Sequence, residues 1–112
     1  MTEIKRIKKN EDFKRVYKRG KSIPDKYIVI YFLKRDNSVT RVGFTASKKV
    51  GKSVIRNRAR RLMKESFRNN NDNIKNGYDI VFIARVSIKD ASYKDVEKSI
   101  IRAMKKARIY KN

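Results

Sequence analysis

Ser53-Val54-Ile55-Arg56-Asn57-Arg58-Ala59-Arg60-Arg61-Leu62-Met63-Lys64-Glu65-Ser66-Phe67-Arg68 reads as one amphipathic helix. Ile55, Ala59, Leu62, Met63 and Ser66 fall on one arc at about 100° per residue, with Phe67 at its edge. Strand patterns flank it: residues 40–47 before, and residues 78–86 after, reopened by Gly77 and centred on Ile80-Val81-Phe82-Ile83. A helix set between strands buries its apolar arc on the sheet they form, which places the chain in the α/β class. Towards the N-terminus, residues 27–33 are continuously apolar and rich in β-branched and aromatic side chains, predicting a strand covered on both faces. The turn residues Asp36, Asn37 and Ser38 predict that it closes a hairpin with the 40–47 strand. Further out, Pro24 and Asp25 break the chain. Asn10 is the expected N-cap of a first helix, with Glu11 and Asp12 in its first turn and Gly20 as its stop. Phe13, Val16 and Tyr17 share one face of that helix. Towards the C-terminus, the Asn-rich run 69–73 is a helix-ending loop, and Ser92 with Asp95 forms a capping pair. Val96, Ile100, Ala103, Met104 and Ala107 trace the apolar stripe of a last helix.

The predicted fold is a two-layer α/β sandwich with element order α-β-β-β-α-β-α and a small mixed sheet. Its 112 residues make one domain, 1–112, with 1–7 and 108–112 expected as flexible ends, because two separate cores would each be too small. With no His and no Cys, the chain cannot build a zinc finger, a Cys or His nucleophile site, a disulfide scaffold or a haem site. The first twenty residues carry eight Lys or Arg and no apolar run, so no secretory signal is read. Nor is any stretch long enough to span a bilayer. A cytoplasmic protein with no membrane partner is the expectation.

Thirty-two Lys and Arg against 11 Asp and Glu leave a net charge of +21. Polyanion binding follows from that balance, with nucleic acid ahead of an anionic membrane surface. The charge is concentrated. Lys48, Lys49, Lys52, Arg56, Arg58, Arg60, Arg61, Lys64 and Arg68 face a single acid, Glu65, within 21 residues. On the helix, Arg60, Lys64, Asn57, Arg68 and Arg61 lie at roughly 140–240° from Ile55, opposite the apolar stripe. Solvated helix faces ordinarily mix charges that pair at i, i+4, and this one does not. Guanidinium groups engage phosphate oxygens bidentately and stack on bases, so the strip suits RNA or a duplex backbone.

Gly51-Lys52-Ser53 before a helix imitates the end of a nucleotide-binding loop. The glycine that such a loop needs ahead of a four-residue spacer is absent, and Ser47 with the bulky Lys48, Lys49 and Val50 occupies the approach where the backbone would have to wrap phosphates. A protein-borne, metal-dependent nuclease needs two or three acids converging on one site, and the eleven acids here are scattered. No catalytic or metal-ligating residue is therefore assigned. The aromatic face of Phe13 and Tyr17 is a candidate platform for unpaired bases, although aromatic i, i+4 pairs also serve as core.

Arg56-Asn57-Arg58, followed by Arg61 and Leu62, resembles the RNR signature of the bacterial ribonuclease P protein family. The likeness extends in order through Lys8-Lys9-Asn10-Glu11-Asp12-Phe13 with Val16 and Tyr17, Gly20-Lys21-Ser22, Tyr31, and Arg41-Val42-Gly43 before Ser47-Lys48-Lys49. The resemblance implies a protein subunit that binds a catalytic RNA and assists endonucleolytic removal of the 5′ leader of precursor tRNA. The RNA performs the hydrolysis with Mg²⁺ as its cofactor. It implies contact with the ribonuclease P RNA by Arg56, Asn57, Arg58, Arg61 and Lys64, joined on charge by Lys48, Lys49, Lys52, Arg60 and Arg68. A cleft formed by Phe13, Tyr17 and Tyr31 is implied to hold the precursor leader. The partners are thus ribonuclease P RNA and precursor tRNA, with no obligate protein partner. A left-handed βαβ crossover is implied too, against the usual preference. The alternative of another class is a small basic ribosomal protein with purely structural rRNA contacts.

Overall fold

Strand β5 (Tyr78–Ala84) is the centre of the molecule, and its run of Ile80, Val81 and Phe82 is fully buried because both its edges and both its faces are covered. The computed structural model describes residues 4–36 and 39–111. The elements are β1 (Ile4–Arg6), α1 (Asn10–Arg19), β2 (Lys21–Pro24), β3 (Ile28–Lys34), β4 (Thr40–Thr45), α2 (Ser53–Arg68), β5 and α3 (Tyr93–Lys106). Short 3-10 turns lie at Lys48–Val50, Asn71–Asn73 and Val86–Asp90. The sheet has the order β1-β4-β5-β3-β2. β1, β4 and β5 run parallel, while β3 is antiparallel to β5 and to β2.

The expected hairpin between the strands at 27–33 and 40–47 does not form. β5 inserts between β3 and β4, pairing Tyr31 with Val81 on one edge and Gly43 with Val81 on the other. The most apolar strand needs a partner on each side, and a turn signal reports a chain reversal, not which strand fills the gap. The hairpin is instead β2–β3, with Lys21 opposite Phe32 and Pro24 opposite Val29. Of the turn expected at 36–38, Asn37 and Ser38 lie outside the described residues. β1 has no counterpart in the sequence reading because Ile-Lys-Arg offers one apolar residue and no period.

α2 and α3 pack on one face of the sheet over Ile28, Ile30, Val42, Phe44, Ile80 and Phe82. α2 has the bounds its periodicity predicts. α3 opens on the Ser92–Asp95 capping box, in which the Asp95 N–H donates to Ser92 Oγ at 3.1 Å and the Ser92 N–H to Asp95 Oδ2 at 3.0 Å. α1 covers part of the opposite face, where Val16 and Ile7 pack on Val81. Its N-cap is Lys9, not Asn10, and makes no side-chain capping bond. At Gly20 the chain leaves α1 so close to β3 that a Cβ would lie 2.5 Å from the Val16 carbonyl oxygen and 2.6 Å from that of Phe32. Of the two end segments, Ile4–Arg6 is paired in the sheet and Ile109 is fully buried.

Candidate nucleic-acid interface

α2 leaves the sheet with its strip outward: Asn57, Arg61, Lys64 and Arg68 are exposed, as are Lys48, Lys49 and Lys52 before it. The Lys52 N-cap makes no side-chain capping bond and the first turn holds no acid, so its free N–H groups and positive dipole end lie beside three lysines. Three arginines of the strip have intramolecular partners. Arg56 Nη2 donates to Ser53 Oγ at 3.0 Å, and Arg60 Nη2 donates to Asn57 Oδ1. Arg58 Nη2 donates to the Ala91 carbonyl at 2.9 Å, tying α2 to the segment that enters α3. Arg58 therefore holds the fold together with at least one of its donors. Val54, 74% exposed, stands one turn before Asn57 and Arg58. An apolar side chain on this outward face had no signal in the charge pattern.

The second surface lies across the sheet, under α1. Phe13, Tyr17 and Tyr31 are brought together there. The Tyr17 and Tyr31 rings meet edge to face, with centroids 5.2 Å apart and planes at 83°. Phe13 rests on Gly43, where a Cβ would stand 2.5 Å from its Cε1. Glycine within a strand marks such a close approach. Tyr31 and Phe13 pack on the small core of Val16 and Val81, whereas Tyr17 remains 39% exposed. Beside this row the register sets Thr45, Ile83 and Val29 in line, all half-buried, forming an open apolar floor next to the aromatic pair. Burial raises the Tyr17 hydroxyl pKa, opposed by a hydrogen bond with Thr45 and reinforced by Tyr31, so the phenol stays protonated at neutral pH.

α1 is held at this height by charge. Arg41 on β4 donates to both carboxylate oxygens of Asp79, at 2.9 and 2.8 Å, and to Asp12 of α1 at 3.3 Å. Arg15 donates to the other oxygen of Asp12 at 2.8 Å. Burial pushes the Asp12 carboxyl up, but Arg41 and Arg15 together hold it below its ordinary value. This network was not legible in the sequence, since it joins α1, β4 and β5. Among the described residues no group of three or more acids is placed to hold a metal ion, and Asp12 and Asp79 are engaged by arginines.

The family profile described as ribonuclease P matches residues 1–108. A ribonuclease P protein component of Alkaliphilus oremlandii is 54% identical over 106 residues, 95% of this chain and 93% of that protein. That of Clostridioides difficile is 58% identical over 94% of this chain and 93% of its own. Among solved structures, the RNase P protein of Staphylococcus aureus superposes with a TM-score of 0.84 at 34% identity, covering 94% of this chain and 96% of that one. The RNase P protein of Thermotoga maritima gives 0.82 at 30% identity, covering 91% and 96%.

Proposed function

The chain belongs to the bacterial ribonuclease P protein family, and from that membership we propose a division of labour between its two faces. It is the protein component of a ribonucleoprotein endoribonuclease of tRNA processing, and its partner is ribonuclease P RNA. The reading as a ribosomal protein does not survive that membership. In the proposal the α2 strip and the lysines before it dock on the catalytic RNA, while the cleft of Phe13, Tyr17 and Tyr31 takes the single-stranded 5′ leader of precursor tRNA. The observation that carries it is the placement of the two surfaces on opposite faces of one sheet. One protein is thus able to touch two polyanions at once without their phosphates meeting.

Positive charge on both faces lowers the repulsion between catalytic RNA and substrate, an effect screened by salt. Aromatic faces stack unpaired bases whatever their sequence, which suits a leader that differs between precursors. Mature tRNA lacks the leader and is held less tightly. Among the described residues no group of three or more acids is placed to hold a metal ion. In the proposal the RNA carries out the hydrolysis with its Mg²⁺. Among the described residues no helix is long and apolar enough to cross a membrane, and the proposed place of action is the cytoplasm with the tRNA precursors.

The test is cleavage of a 5′-labelled precursor tRNA at near-physiological Mg²⁺ with protein alone, ribonuclease P RNA alone, and both. Cleavage that requires the RNA and is enhanced by the protein supports the proposal. Cleavage by the protein alone, or an RNA activity indifferent to the protein, overturns it.

A further inference from the structure

α1 and α3 end at the same corner of the molecule, and Arg19, Lys21, Lys34 and Arg108 surround an open cavity of about 420 Å³ there. Phe32, Leu33 and Tyr78 give it an apolar floor, and among the described residues no carboxylate lines it. The corner is remote from the start of α2. Lys34 pairs with Tyr78 at the first residue of β5, whereas α2 follows β4, whose last residue Thr45 pairs with Ile83. Five residues of strand put roughly 17 Å between those two ends. Helix C-termini carry only about half a negative charge each, and Lys18, Lys105 and Lys106 already stand in the last turns. Arg19 itself stands in the last turn of α1 and the Lys34 ammonium lies over the Tyr78 ring at 4.8 Å, which leaves Lys21 and Arg108 as lining cations in excess of what the dipoles and the ring engage.

Arg108 adds a second, independent observation. It follows the C-cap Ala107 with φ 61°, in the left-handed region, and the Ile109 N–H closes the helix end on the Met104 carbonyl at 3.0 Å. Glycine is the residue that this motif favours. An arginine standing there accepts a backbone cost that glycine avoids, and its side chain lines the cavity.

We propose that this cavity is a phosphate-binding subsite for the part of the precursor leader that extends beyond the aromatic cleft. The inference rests on the leader reading above and adds a second contact to it. Continuity of the surface selects the leader: Leu33, which lines the cavity, lies two residues after Tyr31 on the same face of β3, and Gly20, which also lines it, follows Tyr17 by one helical turn at the end of α1. A single strand leaving the aromatic pair over the last turn of α1 crosses Lys18 and Arg19 and arrives at Lys21, Lys34 and Arg108.

The experiment uses holoenzyme reconstituted with ribonuclease P RNA and measures its affinity for precursors whose leaders are lengthened one nucleotide at a time. Arg108→Gly keeps the left-handed helix end, so it removes the guanidinium without threatening the fold. Lys21→Ala is the second variant. Both are expected to weaken binding about 3–10-fold for long leaders only, with short-leader precursors and mature tRNA unchanged. Equal losses at every length, unchanged affinity throughout, or weakened binding of ribonuclease P RNA itself each overturn the subsite. Tyr31→Ala in the same series separates the two readings. If its loss depends on the leader while those of the cavity variants do not, only the subsite fails. If its loss is the same with and without a leader, the leader reading fails with it.

Discussion

Arg41 grips Asp79 with two parallel hydrogen bonds of 2.9 and 2.8 Å and gives its remaining terminal nitrogen to Asp12, so a single guanidinium fastens α1 to the middle of the sheet. Asp79 is 1% exposed. Arg41→Ala takes the fork partner from a buried carboxylate and leaves it the Arg35 Nε at 3.5 Å, a loss costlier than the pair itself is stabilising. A loss of about 2–4 kcal/mol is expected, read as a lower urea midpoint with unchanged slope. Arg41→Lys recovers only part of it, since an ammonium cannot form the planar double contact. A midpoint unmoved by Arg41→Ala would show that the network contributes no net stability.

Acid titration addresses a second anchor. Asp25, in the turn between β2 and β3, accepts from Arg102 at 2.6 Å, from Ser99 Oγ at 2.6 Å and from the Lys26 N–H at 2.8 Å. Burial acts to raise its pKa, but Arg102, Ser99 and the Lys26 amide outweigh it and lower the value from 3.8 to about 2. A depressed carboxyl stabilises the fold above its unfolded pKa and loses that contribution as pH falls through the folded one. Stability from Asp25 is therefore complete above about pH 4 and gone below about pH 2, with about 1–2 kcal/mol at stake after allowance for the exposed Arg102. Asp25→Asn should flatten the pH dependence of urea stability across that window. The comparison with the wild-type protein cancels the repulsion that grows as the other acids are protonated. Parallel curves would remove Asp25 as the cause.

How far these features could be read beforehand depends on how local they are. The bounds of α2 and the Ser92–Asp95 cap rest on neighbours within one or two turns, and both stand as the residues predict. Strand pairing rests on partners far along the chain, so the insertion of β5 between β3 and β4 escaped a reading built on turns. The same limit applies to the interface. Charge periodicity exposes the strip, but the bond from Arg58 to the Ala91 carbonyl exists only once the segment before α3 has docked. Phe13 and Tyr17 are visible as a helical pair. That Gly43 makes room for the Phe13 ring depends on α1 crossing β4, which no spacing within α1 reveals.

Salt dependence separates the arginines of the strip. Arg61 and Lys64 are exposed and have no place in the core, so Arg61→Ala or Lys64→Ala should lower affinity for ribonuclease P RNA. Each should also flatten the slope of log affinity against log salt by about one. Arg58→Ala should in addition lower the melting temperature, because the Ala91 carbonyl loses its donor. If Arg61→Ala leaves the slope unchanged, the strip does not contact phosphates. If Arg58→Ala leaves the melting temperature unchanged, its bond to Ala91 is not structural.

The cleft makes the sharpest demand on geometry. Tyr31→Ala removes the ring that meets Tyr17 edge to face, and loss of one stacking platform costs about 1–3 kcal/mol, or roughly 5–150-fold in affinity for leader-bearing precursor. Mature tRNA should bind as before. Tyr31→Phe keeps the ring and should bind like the wild-type protein, which distinguishes stacking from a role for the hydroxyl. Gly43→Ala approaches the same surface from below, since its methyl would stand 2.5 Å from Phe13 Cε1. The ring and the first turns of α1 must then lift, widening the cleft while the main core under α2 and α3 stays intact. Holoenzyme with Gly43→Ala should lose discrimination between precursor and mature tRNA and keep its affinity for ribonuclease P RNA. Equal weakening on both tRNAs would show instead that the cleft does not sense the leader.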